Sequence, residues 1–224
     1  MRAFLAAHPR VPRDALTFTT KLRANAGYAA TRAAIAASAA AARTRPDLYL
    51  LHAPHGGARA RRECWRAVED ALAAGEVRAA GVSNFGVRHL AQLLAAPDLR
   101  ARPTVNQIEL HVFNAQAPIV AFCRAERIVL QAYAPLAKGT RMRDPTLVAV
   151  AARCGATVSQ VMLRWGIQNG FVVLPKSANE ERIRENAALD FEISDEDMAL
   201  LAQLDEGLCT GETILHRNWS RLTE

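Results

Sequence analysis

Asp47-Leu48-Tyr49-Leu50-Leu51-His52-Ala53-Pro54 carries an apolar run straight into a histidine and a turn-forming proline. A continuous run this short reads as a strand buried on both faces, the kind that parallel sheets contain. The same grammar recurs along the chain. Apolar runs end in Lys21, in Ser83-Asn84, in Gln107 and Glu109, in Tyr133 and in Lys176, each followed by a helix-like stretch. Parallel-sheet enzymes build their sites at the carboxyl ends of strands, so these polar ends are the candidate functional residues.

Composition frames that reading. Half of the 224 residues are hydrophobic and only 22% are charged, enough to bury a sizeable core in a single domain spanning 1–224. No apolar run approaches the roughly 18 residues that cross a bilayer, and the first residues lack the apolar core of a leader. The chain therefore reads as soluble and cytoplasmic, without a membrane partner. Cys64, Cys123, Cys154 and Cys209 are too widely and unevenly spaced for a zinc site or a disulfide framework, so no metal is expected. The net charge of +6 comes almost wholly from scattered arginine. Only Arg59-Ala60-Arg61-Arg62 clusters, as a solvated loop before a helix, and no aromatic residues interleave with it, so nucleic acid is not expected as a partner. Lysine occurs only at 21, 138 and 176. In a chain whose default cation is arginine, a lysine at a strand end suggests a compact ammonium acting on a neighbour.

Strand-helix units follow one another. Leu16 to Lys21 is a strand, and an Ala-rich helix runs from Tyr28 to about Arg43. Asp47 to His52 is followed by a helix from Arg62 to Ala74, and Val77 to Val82 by one carrying Leu90, Leu93 and Leu94. Thr104 to Leu110 precedes a helix opened by Pro118, and Ile128 to Tyr133 precedes two, Pro145 to Cys154 and Val158 to Gln168. Phe171 to Pro175 is the sixth strand. Glu180 to Ala187 is a short helix, and Ser194 caps a last one ending near Leu204. Residues 207–224 have no period and read as a loop or tail.

Six strand-helix repeats mean a parallel sheet, either a closed (β/α) barrel or an open doubly wound sheet. An open dinucleotide-binding sheet would carry G-x-G-x-x-G after its first strand. That motif is absent, which favours the barrel.

The runs Thr19-Thr20-Lys21-Leu22, Asp47 to His52, Gly81-Val82-Ser83-Asn84-Phe85, Val105-Asn106-Gln107-Ile108-Glu109, Ala132-Tyr133-Ala134-Pro135-Leu136 and Leu163-Arg164-Trp165 resemble the aldo-keto reductases. So does Pro175-Lys176-Ser177 with Arg182-Ile183-Arg184-Glu185-Asn186. The order and spacing match from about Pro12 to Asp205. The resemblance implies a TIM-barrel-type (β/α)8 fold, shortened at its N-terminus to about six parallel strands. It implies NADPH-dependent reduction of aldehydes or ketones, with a small carbonyl compound as partner. By the same resemblance Lys21 and His52 are catalytic, the lysine tuning a proton-donating tyrosine and the histidine orienting the substrate. Tyr133 matches the ring that stacks on nicotinamide, and Ser83, Asn84 and Gln107 match the groups on its carboxamide. Leu136 is a further cofactor position. Lys176, Ser177 and Arg182 resemble the cradle of an adenosine 2′-phosphate, with Glu185 and Asn186 near the adenine. Alternation along the strand turns Leu48, Leu50 and His52 to one face and Tyr49 and Leu51 to the other.

The family motif D-x-A-x-x-Y-x-N-E supplies the proton-donating tyrosine and an aspartate ahead of the lysine. Twenty residues precede Lys21 in this sequence and the motif is not among them. Tyr49 is excluded by its parity, and Tyr28 stands at a helix start. The expectation is therefore an oxidoreductase whose activity in this form is doubtful, with a non-catalytic nucleotide-binding or interaction protein as the alternative. A longer gene product, a degraded relative and completion by another subunit all fit.

Overall fold

The computed structural model describes residues 2–210, and the chain divides into two compact units between Asn106 and Gln107. In the first unit α1 (Arg2–Ala7) and a 3-10 turn precede β1 (Thr19–Leu22), α2 (Tyr28–Ala42), β2 (Leu48–Leu51), α3 (Gly57–Ala73), β3 (Ala79–Ser83) and α4 (Val87–Leu94). The next strand, β4 (Val105–Glu109), straddles the division.

Parallel pairing in unbroken register joins β1 to β2 and β2 to β3, with Lys21 opposite Leu50 and Leu50 opposite Gly81. Paired residues in neighbouring strands point the same way. One row therefore holds Lys21, Leu50 and Gly81, and the adjacent row holds Thr20, Tyr49 and Ala80 on the other face. Tyr49 and Leu51 are fully buried, as are Ile35 of α2 and Trp65 and Val68 of α3. Helix α2 packs on α3, where the Tyr28 hydroxyl donates to Asp70 (2.6 Å) and Arg32 pairs with Glu76 (2.7 Å). Asp47 fixes the entry to β2. Its carboxylate accepts from the Phe18 N–H and from Arg13, both at 2.7 Å, and these bonds hold its pKa low against the opposing effect of burial.

The second unit continues with α5 (Ala117–Ala125), β5 (Val129–Tyr133), α6 (Pro145–Cys154), α7 (Val158–Gln168), β6 (Val172–Leu174), α8 (Glu180–Ala187) and α9 (Asp195–Ala202). Strands β5 and β6 pair in parallel, with Tyr133 opposite Leu174. The helix starts carry their caps in the sequence: Asp144 for α6, a Thr157–Gln160 capping box for α7, Asn179 for α8 and Ser194 for α9.

Two expectations change. The β1 strand starts at Thr19 and ends at Leu22, so Lys21 stands inside it and not at its end. Helix α3 starts at Gly57 and not at Arg62, which puts Arg59-Ala60-Arg61-Arg62 in its first turns and not in a loop. Gly56 and Gly57 look like turn residues, and their left-handed backbone (φ 83° and 80°) swings the chain directly into the helix. Gly207 to Thr210 has no regular structure, while the rest of the expected tail, Trp219 included, lies outside the described residues. Among the described residues no single helix is long and apolar enough to cross a membrane.

Gly81 is the tightest point of the first sheet. A Cβ there would lie 2.5 Å from the Val105 carbonyl oxygen and 2.9 Å from a Leu50 methyl. Gly81→Ala is expected to cost about 1–3 kcal/mol, because backbone must move to admit the methyl. Urea denaturation of the two proteins measures it.

Candidate active site

The first unit brings together Lys21, His52, Ser83 and Asn84. His52 follows β2, and its N–H donates to the Leu22 carbonyl (3.3 Å), extending the ladder by one residue. The alternation of β2 therefore carries through to its side chain, on the Lys21 and Leu50 face. Burial lowers the Lys21 pKa. Burial also lowers that of His52, helped by the fields of Lys21 and His55. His52 is thus a neutral imidazole at neutral pH, able to donate one hydrogen bond and accept another.

Asn84 ties two strand ends. It takes a left-handed backbone (φ 63°), which asparagine tolerates, and its amide nitrogen donates to the His52 carbonyl (2.9 Å) and to Ser83 Oγ (3.2 Å). Both amide hydrogens are thereby engaged, so contact with a nicotinamide carboxamide through them would require an exchange of bonds. Asn106, fully buried, fixes the next loop through Phe85: its amide donates to the carbonyl (2.8 Å) and its oxygen accepts from the N–H (3.4 Å). Sequence reasoning did not single it out, although it sits inside a quoted motif.

Neither tyrosine of this unit serves as a proton donor. Tyr49 lies on the helix-facing side of the sheet, where burial pushes its phenol up to about 12. Tyr28 is bonded to Asp70, which raises its pKa.

The second unit holds the remaining expected residues. Gln107 is buried in β4 and donates to the Gln131 side chain of β5 (2.8 Å). Tyr133 closes β5, and burial raises its pKa, as do the fields of Glu109 and Cys209. It is therefore a neutral ring at any physiological pH. Glu109 is itself buried. Burial alone would raise its carboxyl. Bonds from His111 (3.2 Å), the Thr210 hydroxyl and the Thr210 N–H (2.7 Å) outweigh it and bring the pKa down to about 2. His111, without an assignable role in the sequence, is a structural partner of this acid.

Leu136, Lys176, Ser177, Arg182, Glu185 and Asn186 line one cleft of about 660 Å³. Lys176 and Ser177 lie between β6 and α8. Ser177 Oγ accepts from the Asn179 N–H (3.1 Å), and the Asn179 side chain accepts from the Arg182 N–H (2.9 Å), which sets the first turn of α8. Neither Lys176 nor Arg182 forms an ion pair among the described residues, although Arg184 of the same helix pairs with Glu180. The cleft also contains Lys138, which sequence reasoning passed over. Its rarity in an arginine-rich chain was the available signal. Lys138 sits in a turn where Ala134, Ala137, Lys138 and Gly139 all have positive φ (47°, 46°, 51° and 77°). Such a run is costly for residues other than glycine and marks a constrained site.

The aldo/keto reductase family model matches residues 1–206. An uncharacterized oxidoreductase of Schizosaccharomyces pombe, C2F3.05c, is 44% identical over 196 residues, covering 87% of this chain and 70% of that protein. Glyoxal reductase of Bacillus subtilis is 42% identical over 161 residues, 71% of this chain and 57% of its own length. The crystal structure of an aldo-keto reductase complexed with NADPH superposes with a TM-score of 0.87 at 30% identity, covering 96% of this chain and 71% of that one. The fold is thus the barrel-type α/β fold, carried here by six parallel strands with their helices.

Glu109 gives a test with a defined sign. Its folded pKa of about 2 lies below the ordinary value of 4.5, so its stabilisation is present above pH 4.5 and lost as pH falls toward 2. Glu109→Gln should cost about 1–3 kcal/mol at pH 7, and the gap from the parent should close between pH 5 and pH 2 in parallel denaturation curves.

Proposed function

The chain belongs to the aldo/keto reductase family, and on that footing we propose that it binds NADP(H) and reduces aldehydes or ketones to alcohols. One observation supports the cofactor reading above the others. The five positions expected around the adenosine end, Lys176, Ser177, Arg182, Glu185 and Asn186, line a single cleft with Leu136, and Lys138 adds a third cation there. A 2′-phosphate dianion beside Lys176, Ser177 and Arg182 would receive charge-assisted hydrogen bonds. NADPH is accordingly preferred over NADH. Glu185 and Asn186 offer acceptors to the adenine amino group.

When bound, the nicotinamide supplies the hydride. The protein's share is to hold and orient. Tyr133 presents a neutral ring for stacking, and Ser83, Asn84 and Gln107 are the carboxamide candidates. His52 is a neutral donor for the substrate carbonyl oxygen, and Lys21 is a partly desolvated cation whose field would favour the anion of a nearby phenol. The second reading is a protein derived from the same family that binds the nucleotide without turnover. Four free cysteines suit a reducing compartment, and we assign the protein to the cytoplasm.

Titration with NADPH, followed by protein fluorescence, separates these readings from failure of both. Saturable quenching is expected. Lys176→Ala combined with Arg182→Ala should weaken NADPH about 10- to 100-fold and leave NADH nearly unchanged. Aldehyde-dependent loss of NADPH absorbance would establish turnover, and quenching without it would leave the chain as a nucleotide binder. Equal loss of affinity for both cofactors would remove the 2′-phosphate assignment.

A further inference from the structure

We propose that Arg141 is a positioning residue for the bound nucleotide: tied to Glu206 and Phe113, it holds the turn that presents Lys138 to the cofactor's diphosphate. The inference rests on the reading of the cleft at Leu136, Lys176 and Arg182 as the adenosine end of the NADP(H) site. Lys176, Ser177 and Arg182 take the 2′-phosphate in that reading, so the diphosphate is the anionic group left for Lys138, the third cation of the cleft. Lys138 reaches the cleft from a strained backbone. Ala134, Ala137 and Lys138 have φ of 47°, 46° and 51°, and such a run persists only where the surroundings over-determine it. Part of the hold is local. The Ala137 N–H donates to the Ala134 carbonyl (2.9 Å), the Gly139 N–H to that of Leu136 (2.8 Å), and the Thr140 N–H and hydroxyl both to that of Ala137 (3.1 and 2.8 Å).

These bonds tie the turn to itself and leave its place in the unit unset. Residues 138–143 form a wall between two spaces. Lys138, Gly139 and Met142 line the cleft, while Thr140, Arg141 and Arg143 line a neighbouring hollow of about 510 Å³ together with Phe113 and Glu206. With open space on both sides, apolar packing alone does not fix this wall. Arg141 ties it down. Its guanidinium pairs with Glu206 (2.6 Å) and lies over the Phe113 ring, 5.9 Å from the centroid. An exposed ion pair by itself contributes little, but these two partners are anchored. Phe113 is buried, and its carbonyl accepts from the N–H groups of Glu206 (3.2 Å) and Leu208 (2.8 Å), so the partners of Arg141 are bonded to each other. A planar guanidinium can meet a carboxylate and a ring face at once, which a compact ammonium does less well. The Arg141 carbonyl in turn accepts from the N–H of Asp144 (3.1 Å), the residue that caps α6. The chain just beyond Lys138 is therefore held from two sides, and loss of the Arg141 tie frees the lysine to leave the cleft.

Fluorescence titrations of the full chain with NADPH and with NADH test the assignment. Lys138→Gln should weaken both cofactors about tenfold, because both carry the diphosphate, and Arg141→Gln should weaken both about 3- to 10-fold. The double variant should bind no more weakly than Lys138→Gln alone, since the arginine acts through the lysine. A merely structural role would give additive losses. Arg141→Lys keeps the charge without the planar stack and should recover part of the affinity. Glu206→Gln removes the ion pair from its other end and should match Arg141→Gln, so a misfolded arginine variant does not spoil the test. Additive losses in the double variant, unchanged affinity in the folded Arg141 and Glu206 variants, or a loss confined to NADPH overturns the proposal. Absence of NADPH binding by the parent chain would remove the cofactor reading and this inference with it, whereas parental binding with additive losses removes this inference alone.

Discussion

The unbroken parallel register of β1, β2 and β3 is the constraint on which the candidate site residues of the first unit depend. Because Lys21, Leu50 and Gly81 are paired across three strands, a slip of one residue anywhere would turn the lysine toward the helices and Tyr49 toward the site face. Gly81 guards that register. It allows the Val105 carbonyl to approach where a methyl would collide, and the two neighbouring strands are locked at one height. His52 inherits its direction from the same pairing through the bond from its N–H to Leu22. The chemistry at the strand ends is thus a consequence of a packing choice made two residues earlier.

The cleft of the second unit depends on charge left uncompensated. Surface cations in this chain are commonly paired, as Arg141 with Glu206 and Arg184 with Glu180 show. Lys176 and Arg182 depart from that habit beside one cleft. Exposed ion pairs contribute little to stability, so leaving these cations unpaired costs the fold little. It leaves them available to anions. The strained turn at 134–139 fits the same economy, since three non-glycine residues with positive φ are tolerated where they place Lys138 on the cleft.

Much of this was legible in the residues. The helices Pro145–Cys154, Val158–Gln168 and Glu180–Ala187 coincide with the structure, because their caps are local and side-chain encoded. The six cleft positions followed from motif resemblance, and the opposition of Tyr49 and His52 from simple alternation. What escaped was non-local or looked like its opposite. Gly56-Gly57 reads as a loop and acts as a helix start. The engagement of Asn84 with His52 joins side chain to backbone across 32 positions, which no period reveals. Lys138 was visible only as an unusual residue type.

Thr210 contacts Glu109 across 101 positions. During synthesis the acid leaves the ribosome long before its partner exists, and closing so long a loop is entropically expensive. Until that moment a carboxylate destined for the interior lacks two of its donors. The second unit therefore reaches its final packing only when the segment around Thr210 arrives, and the closure acts as a latch on the timing of assembly as well as on its stability.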